Sequence, residues 1–481
     1  MRIHRWIRPW ATNIGAVLLT LLLTYLSVAH KNSLVLPAVG GMLMLVVCFL
    51  SVKTALAILI MSMLLSPEIV IASNEKHDIT IRFDDMLLLI ITAGWLLRMA
   101  ILKDIGFMRK NPINKSILVF CFLAMLSTLL GIFRGNIDWL PGTFFVLKLI
   151  EYFFLFYMVV NFIETPKDIY FFIRLLLLVC GIVCIYGLSQ LVINHDISLP
   201  FEGAHRERNT LGGYLVLIAS VAGGMLFYRD KGTKPHTLIV LLVGIIATLL
   251  FSLSRSSWSG FIISFIALFI IARWFKLFII IVILLVPLAP FLIPREAKQR
   301  FQYTFSEEYA VHRKQIKVLG VQLDGSSSAR LRSYGLVLTE IPKHLFLGYG
   351  VTGFAFIDGQ FFRILSEMGV LGLGAFIWLL TAVYRLILAT KRLEIPDTLR
   401  GMIVGFQAAF WGVLMHAMTA NTFIIIRIAE PFWFFSGLIT VIYLSYGKNE
   451  ATSGQRTDAK VLEGERRSNP IAVQSGPAPL Q

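Results

Sequence analysis

Charge is scarce in this chain. Asp, Glu, Lys and Arg make up 15% of its 481 residues, against 57% hydrophobic residues. An ordinary soluble domain carries about 25% charge, so that class is excluded. Alternating segments of about ten residues are absent too, which excludes a membrane β-barrel. Only four cysteines occur, Cys48, Cys121, Cys180 and Cys184, each inside an apolar run. Cys180 and Cys184 share one helical face but are poorly placed for a bridge, so no disulfide framework is expected. There is no Gly-rich nucleotide loop, no nucleophile elbow and no metal-ligand spacing. The reading is therefore no metal and no cofactor. No internal repeat suggests the inverted halves of a transporter.

What the chain has is a succession of apolar runs of about 17 to 25 residues, the length a hydrocarbon core demands of helices. Candidate spans fall near 12–29, 34–50, 54–72, 85–102, 115–133, 143–162, 169–193, 210–228, 237–253, 257–272, 276–293, 360–384, 401–419 and 431–446. The fold class expected is all-α, a polytopic membrane helix bundle of about 14 transmembrane helices with one large periplasmic loop. The first apolar run follows Arg2, Arg5 and Arg8 but lacks a small-residue cleavage site, and is read as the first helix.

The net charge of +16 does not point to nucleic acid, because the basic residues are confined to alternate loops. Arg98 to Lys115, Arg229 to Lys234, Arg273 with Lys276, and Lys391 to Arg400 become cytoplasmic anchors when the N-terminus is inside. Both termini are then inside, and the polar insertion 294–359 is outside. The organisation expected is a membrane domain over 1–447, containing the external loop 294–359, followed by a disordered cytoplasmic tail over 448–481. Within the loop, an amphipathic piece (Arg295 to Tyr309) precedes a Gly/Ser-rich stretch and a helix from Ala329 to Ile341. Gly348, Gly350 and Gly353 follow, allowing tight bends near a ligand.

Against this topology, Arg206, Arg208, Arg255, Arg330, Arg332 and Arg427 lie on the outer side, where Lys and Arg are depleted. A guanidinium fork suits phosphate, so the cluster suggests an anionic ligand. Arg255 stands in a minimal turn among serines, with an interfacial anchor beside Trp258 as the alternative role. Arg206 and Arg208 precede the run from Leu211, where a helix N-terminus favours an anion; a solvated charge run is the plainer account. Arg330 and Arg332 open the external helix, whose wet face would also accommodate them. Asp358 is either a general base or the N-cap of the next span.

Other ionisable residues read as structural. Arg363 and Glu367 are four apart and pair on one helix. Lys148 and Glu151 are expected to pair within their span. Asp84 and Asp85 cap the fourth span, and His416 is a packed histidine.

The run Asn209-Thr210-Leu211-Gly212-Gly213-Tyr214-Leu215, then Ser254-Arg255-Ser256, resembles the O-antigen ligase and polymerase superfamily. So do Ser328-Ala329-Arg330-Leu331, Gly348-Tyr349-Gly350-Val351, Asp358-Gly359 and Leu365 to Gly372, over roughly 140–445. The resemblance implies a metal-independent glycosyltransferase of the bacterial inner membrane, with its active site facing the periplasm. Its donor would be an undecaprenyl diphosphate-linked oligosaccharide, its solvent the lipid bilayer, and its protein partners a chain-length regulator and a flippase. By the same resemblance Arg255 and Arg330 neutralise the leaving diphosphate, and Arg206 or Arg208 is a third partner. Asn209, Arg332 and Arg427 would contact diphosphate or glycan, and Asp358 would serve as base. Ligases carry a His-Asn pair where this chain has Asp358-Gly359. The ending from Asn421 through Arg427 to Trp433 looks more like polymerases, so polymerase is the first reading and ligase the second. A lipid-glycan flippase is the alternative of another class.

Overall fold

The structure, a computed structural model, describes residues 51–66, 68–73, 78–102, 109–194, 208–230, 235–292, 298–299, 317–318, 321–322 and 325–468, with positions 47 and 197. Its helices are α1 (Val52–Leu65), α2 (Phe83–Leu102), α3 (Asn114–Phe133), α4 (Trp139–Phe162), α5 (Pro166–Asn194), α6 (Arg208–Phe227) and α7 (His236–Phe251). They continue as α8 (Arg255–Ile271), α9 (Phe275–Leu292), α10 (Gly325–Glu340), α11 (Gln360–Lys391), α12 (Asp397–Ala417) and α13 (Ile426–Ser468). Every expected span from 54–72 onward coincides with one of these helices. Seven of the described helices are long and apolar enough to cross a membrane. The spans expected at 12–29 and 34–50 lie outside the described residues, as do the loop piece 300–309 and the end of the tail.

Two short hairpins interrupt the helices: β1 (Glu68–Ser73) with β2 (Asp78–Arg82), and β3 (Lys317–Val318) with β4 (Val321–Gln322), both antiparallel. The first shortens the span expected at 54–72. Ser66 precedes Pro67 and is extended (φ −87°, ψ 140°), as a residue before proline must be. The β-branched Ile69, Val70 and Ile71 then favour a strand. At the other end, α13 continues past the expected exit at 446 to Ser468, into the segment read as tail.

The centre of the bundle is α6, α12 and the apolar part of α13, each buried along most of its length; α3, α4, α5 and α11 are buried over half or less. Exposed Leu129, Leu147, Ile185 and Ile377 cover those outer helices, as lipid-facing surfaces require. Small residues bring the central helices together. A Cβ on Gly224 of α6 would stand 2.3 Å from the Gly401 carbonyl oxygen of α12, and one on Gly260 of α8 would stand 2.8 Å from that of Gly412. Backbones this close give dispersion contact that longer side chains would prevent. The result holds the N-termini of α6 and α8 beside the C-terminus of α12.

Candidate active site

A cleft of about 540 Å³ opens at that end of the bundle, lined by Arg208, Arg255, Arg330, Arg363, Asp358 and the amide of Asn209, with Leu253, Phe356, Ile424 and Ile425 as its apolar wall. It falls in the size range of small-ligand sites.

Each polar group is placed by a local device. Ser254 caps α8, accepting from the Ser257 N–H at 3.3 Å, and so sets Arg255 at the first helical position. The hydroxyl of Ser254 also donates to Asn209 Oδ1 at 2.7 Å and lies 2.7 Å from Ser257 Oγ. This ties the start of α6, carrying Arg208 and Asn209, to the start of α8. Leu253 completes the turn in the left-handed region (φ 53°), a conformation held only where surroundings dictate it. Trp258, expected as a headgroup anchor, instead donates from Nε1 to the Leu249 carbonyl at 2.9 Å and staples the turn.

Arg330 comes from outside the bundle. Tyr334, one turn further along α10, stacks on Phe362 with ring centroids 4.1 Å apart and donates from Oη to the Met418 carbonyl at 2.9 Å. Residues four apart share a helix face, so the anchor that pins Tyr334 also turns Arg330 toward the cleft. Burial pushes the Tyr334 phenol above its ordinary range, Arg330 opposing and Asp358 adding to the shift. The phenol therefore stays protonated and keeps its donor role. Arg330 Nε lies 3.5 Å from Asp358 Oδ2. Asp358 is not a helix cap: Gly359 holds that position, with no side-chain hydrogen bond to the first turn. Glycine is required there, because φ is +118° and a Cβ would meet Tyr334 Oη at 2.6 Å. That contact accounts for the glycine of the Asp358-Gly359 pair.

The cleft thus gathers five of the residues expected at the site, Arg208, Asn209, Arg255, Arg330 and Asp358. Arg206 lies outside the described residues. Arg332, two positions from Arg330 and so about 200° around the helix, is exposed and bonds back to the Ser328 carbonyl at 3.4 Å. It does not line the cleft. Nor does Arg427, which is buried and donates to the Ser66 carbonyl at 3.4 Å. Arg363 forms its expected pair with Glu367 at 3.0 Å, yet its side chain lines the cleft as well. Its position in the first turn of α11, five residues after Asp358, was the available signal. His416 is fully buried, with Nδ1 2.8 Å from Thr422 Oγ1.

Arg427 belongs to a buried ionic cluster behind the cleft wall. Arg82 Nη2 lies 3.1 Å from Asp84 Oδ2, and Ser66 Oγ donates to Asp84 Oδ1 at 2.8 Å. Asp85 Oδ2 accepts the Arg82 backbone N–H at 3.1 Å, the reciprocal half of a capping box. The same oxygen lies 3.1 Å from Lys148 Nζ; Lys148 was expected to pair with Glu151, whose Oε1 has no hydrogen bond. Glu430 is buried with both carboxyl oxygens without a hydrogen bond. Among the described residues no group of His, Cys, Asp and Glu could hold a metal ion.

Four guanidinium groups around one exposed carboxylate can hold a doubly anionic group, while the carboxylate accepts a proton beside it. Residues 238–377, from the start of α7 to the middle of α11, match the family model described as O-antigen ligase. The match contains Arg255, Arg330, Asp358 and Arg363. No curated protein matches the chain.

Proposed function

We propose a reaction for this chain, whose match over residues 238–377 supports membership of the O-antigen ligase/polymerase superfamily of membrane glycosyltransferases: polymerisation of lipid-linked glycan repeat units at the outer face of a bacterial inner membrane. The observation that carries this reading is the convergence of Arg208, Arg255 and Arg330 with Asp358 on one cleft. The donor would be an undecaprenyl diphosphate-linked oligosaccharide. Its diphosphate meets the arginines and its sugars lie under α10. An acceptor hydroxyl attacks the anomeric carbon, the bond from that carbon to the phosphate oxygen breaks, and the lipid diphosphate departs. Charge growing on the leaving oxygen is met by fixed guanidinium groups, which need no reorganisation as the reaction proceeds. Asp358 takes the hydroxyl proton. When the diphosphate engages Arg330, the carboxylate 3.5 Å away loses its cation and turns to the acceptor.

The family description favours a second reading, transfer of the finished glycan to a different acceptor, as in a ligase. Purified protein in lipid, supplied with undecaprenyl diphosphate glycan alone, decides between them. A polymerase lengthens the glycan and releases lipid diphosphate; a ligase does so only when a separate acceptor lipid is added. A protein that releases none under either condition is not a transferase of this kind.

Two results follow from this reading. Asp358→Asn keeps the size of the side chain but removes its proton affinity, so turnover should fall about 10²-fold with donor binding near normal. Undiminished turnover would remove Asp358 from the chemistry. The sidedness proposed places α10 outside. Ser326→Cys, in a background without the native cysteines, should react with a membrane-impermeant thiol reagent in intact cells once any outer membrane is permeabilised. Labelling only after lysis would invert the topology.

A further inference from the structure

A second concave surface lies at the other end of the bundle. Successive helices run in alternate directions, so the start of α5, the end of α6 and the starts of α7 and α12 sit away from Arg208 and Arg255. Thr398 Oγ1 donates to Asp230 Oδ2 at 2.6 Å and ties this end together. Between α5 and α7 a groove of about 1160 Å³ opens there, walled by Leu177, Ile182, Ile185, Leu238 and Leu241. Two glycines form its floor. A Cβ on Gly181 would meet only Leu241 Cδ1, at 3.9 Å, and one on Gly244 only Cys184 Cβ, at 3.8 Å.

Lys167 and Arg174 also line this groove. They are seven residues apart, two turns along one face of α5. Both are exposed, and neither makes a hydrogen bond or ion pair with a described residue. The neighbouring carboxylates are already engaged, Asp168 with Lys53 at 2.6 Å and Asp230 with Thr398. Cations at helix ends commonly serve as dispersed anchors. These two differ in sharing one concavity that continues into an apolar trough.

The length of α5 places them at a boundary. Its 29 residues extend about 43 Å at ~1.5 Å each, against a hydrocarbon core of about 30 Å. The stretch from Leu175 to Asn194 carries no charged residue and, at about 30 Å, fills that core. The nine residues before it, with Lys167 and Arg174, then stand in the headgroup layer. An anionic head over apolar chains is the complement of this surface, and basic pockets between membrane helices bind such heads.

We propose that the α5–α7 groove is a binding site for an anionic glycerophospholipid of the leaflet opposite the cleft, its phosphate on Lys167 and Arg174 and an acyl chain along Gly181 and Gly244. The diphosphate lipid proposed as donor is a different ligand, because its head is assigned to the other end of the molecule. The site does not depend on the transfer reaction.

The test is native mass spectrometry of the full chain in detergent, incubated with equal amounts of phosphatidylglycerol and phosphatidylcholine bearing the same acyl chains. Preferential phosphatidylglycerol adducts are expected. Lys167→Ala and Arg174→Ala should each weaken that preference about fivefold, and together about thirtyfold. Gly181→Leu, which fills the trough without meeting backbone, should abolish the adduct while leaving the unfolding midpoint unchanged. Equal binding of the two lipids by the native chain would overturn the proposal. So would a preference that survives the double variant or Gly181→Leu, or displacement of phosphatidylglycerol by undecaprenyl phosphate at equal concentration.

Discussion

Arg255→Ala and Arg330→Ala are each expected to lower glycan transfer by about 10²–10³, the usual loss when one donor to a developing oxyanion is removed. The two residues are far apart in the chain, but a short path of contacts joins them. Ser256, beside Arg255, accepts from Thr419 Oγ1 at 2.8 Å, and Met418, next to Thr419, accepts from Tyr334 Oη at 2.9 Å. Tyr334 stands one turn after Arg330. The end of α12 is thus a fixed template on which α8 and α10 are both registered. If the two guanidinium groups serve one diphosphate, their effects are not independent, and the double variant should be little worse than either single one. Lysine keeps the charge but loses the planar two-pronged fork, so Arg255→Lys and Arg330→Lys should also be badly impaired. The measurement is release of undecaprenyl diphosphate by purified protein in lipid, at matched protein levels. Near-normal release by the double alanine variant would remove the proposed chemistry altogether.

The membrane architecture was legible because run length and loop charge are one-dimensional signals that the bilayer imposes directly. The same holds for Arg255 and Arg330, which stood out because the outer side expected for them is where such loops are poor in arginine. Arg427 stood out for the same reason, yet it does not line the cleft. Its charge is engaged instead near Ser66 and the Asp84–Arg82 pair, across 361 positions of sequence that no local pattern links. Lys148 is similar: Glu151 lies three residues away, but Asp85 on another helix lies 3.1 Å from its ammonium. Helical spacing reveals which residues share a face and leaves open what that face meets. Arg332 illustrates the converse, since the 3.6-residue period alone separates it from Arg330 once one of them is known to face the cleft. The role of Gly359 was hidden for another reason. It depends on a tyrosine 25 positions earlier docking on the end of α12.

The glycines of 348–353 were expected to bend the chain around a ligand; two of them bend it into a helix. At Gly369 α11 is broken (φ 67°, ψ −167°), and the segment from Leu345 to Gly350 is threaded into the gap. The Ser366 and Glu367 carbonyls accept the N–H groups of Tyr349 and Gly350 at 3.0 and 2.7 Å, and the N–H groups of Val370 and Leu371 donate to Leu345 and Phe346 at 2.9 and 3.2 Å. Ser127 Oγ donates to the Glu367 carbonyl at 2.7 Å and to that of Leu347. Backbone groups on both sides of the break are taken up in this way, as an apolar surrounding requires of irregular backbone. The same threaded segment leads into Phe356 and Asp358 at the cleft, so the break sets the entry of the loop that carries Asp358. Gly369→Ala attacks this arrangement twice. This φ/ψ combination is essentially open to glycine alone and costs an L-residue about 1–3 kcal/mol, and the new Cβ would lie 2.4 Å from the Phe346 carbonyl, an overpacking that costs about 1–3 kcal/mol. The thermal unfolding midpoint of the purified protein should fall by about 2–5 °C, and transfer should be lost with it as the loop carrying Asp358 shifts. Gly374→Ala, on the same helix, provides the comparison. Its Cβ would meet nothing within 4 Å, and alanine is the better helix former by about 1 kcal/mol, so the midpoint should hold or rise slightly. Equal midpoints for the two variants would show that the break at Gly369 is not what holds the Asp358 loop in place.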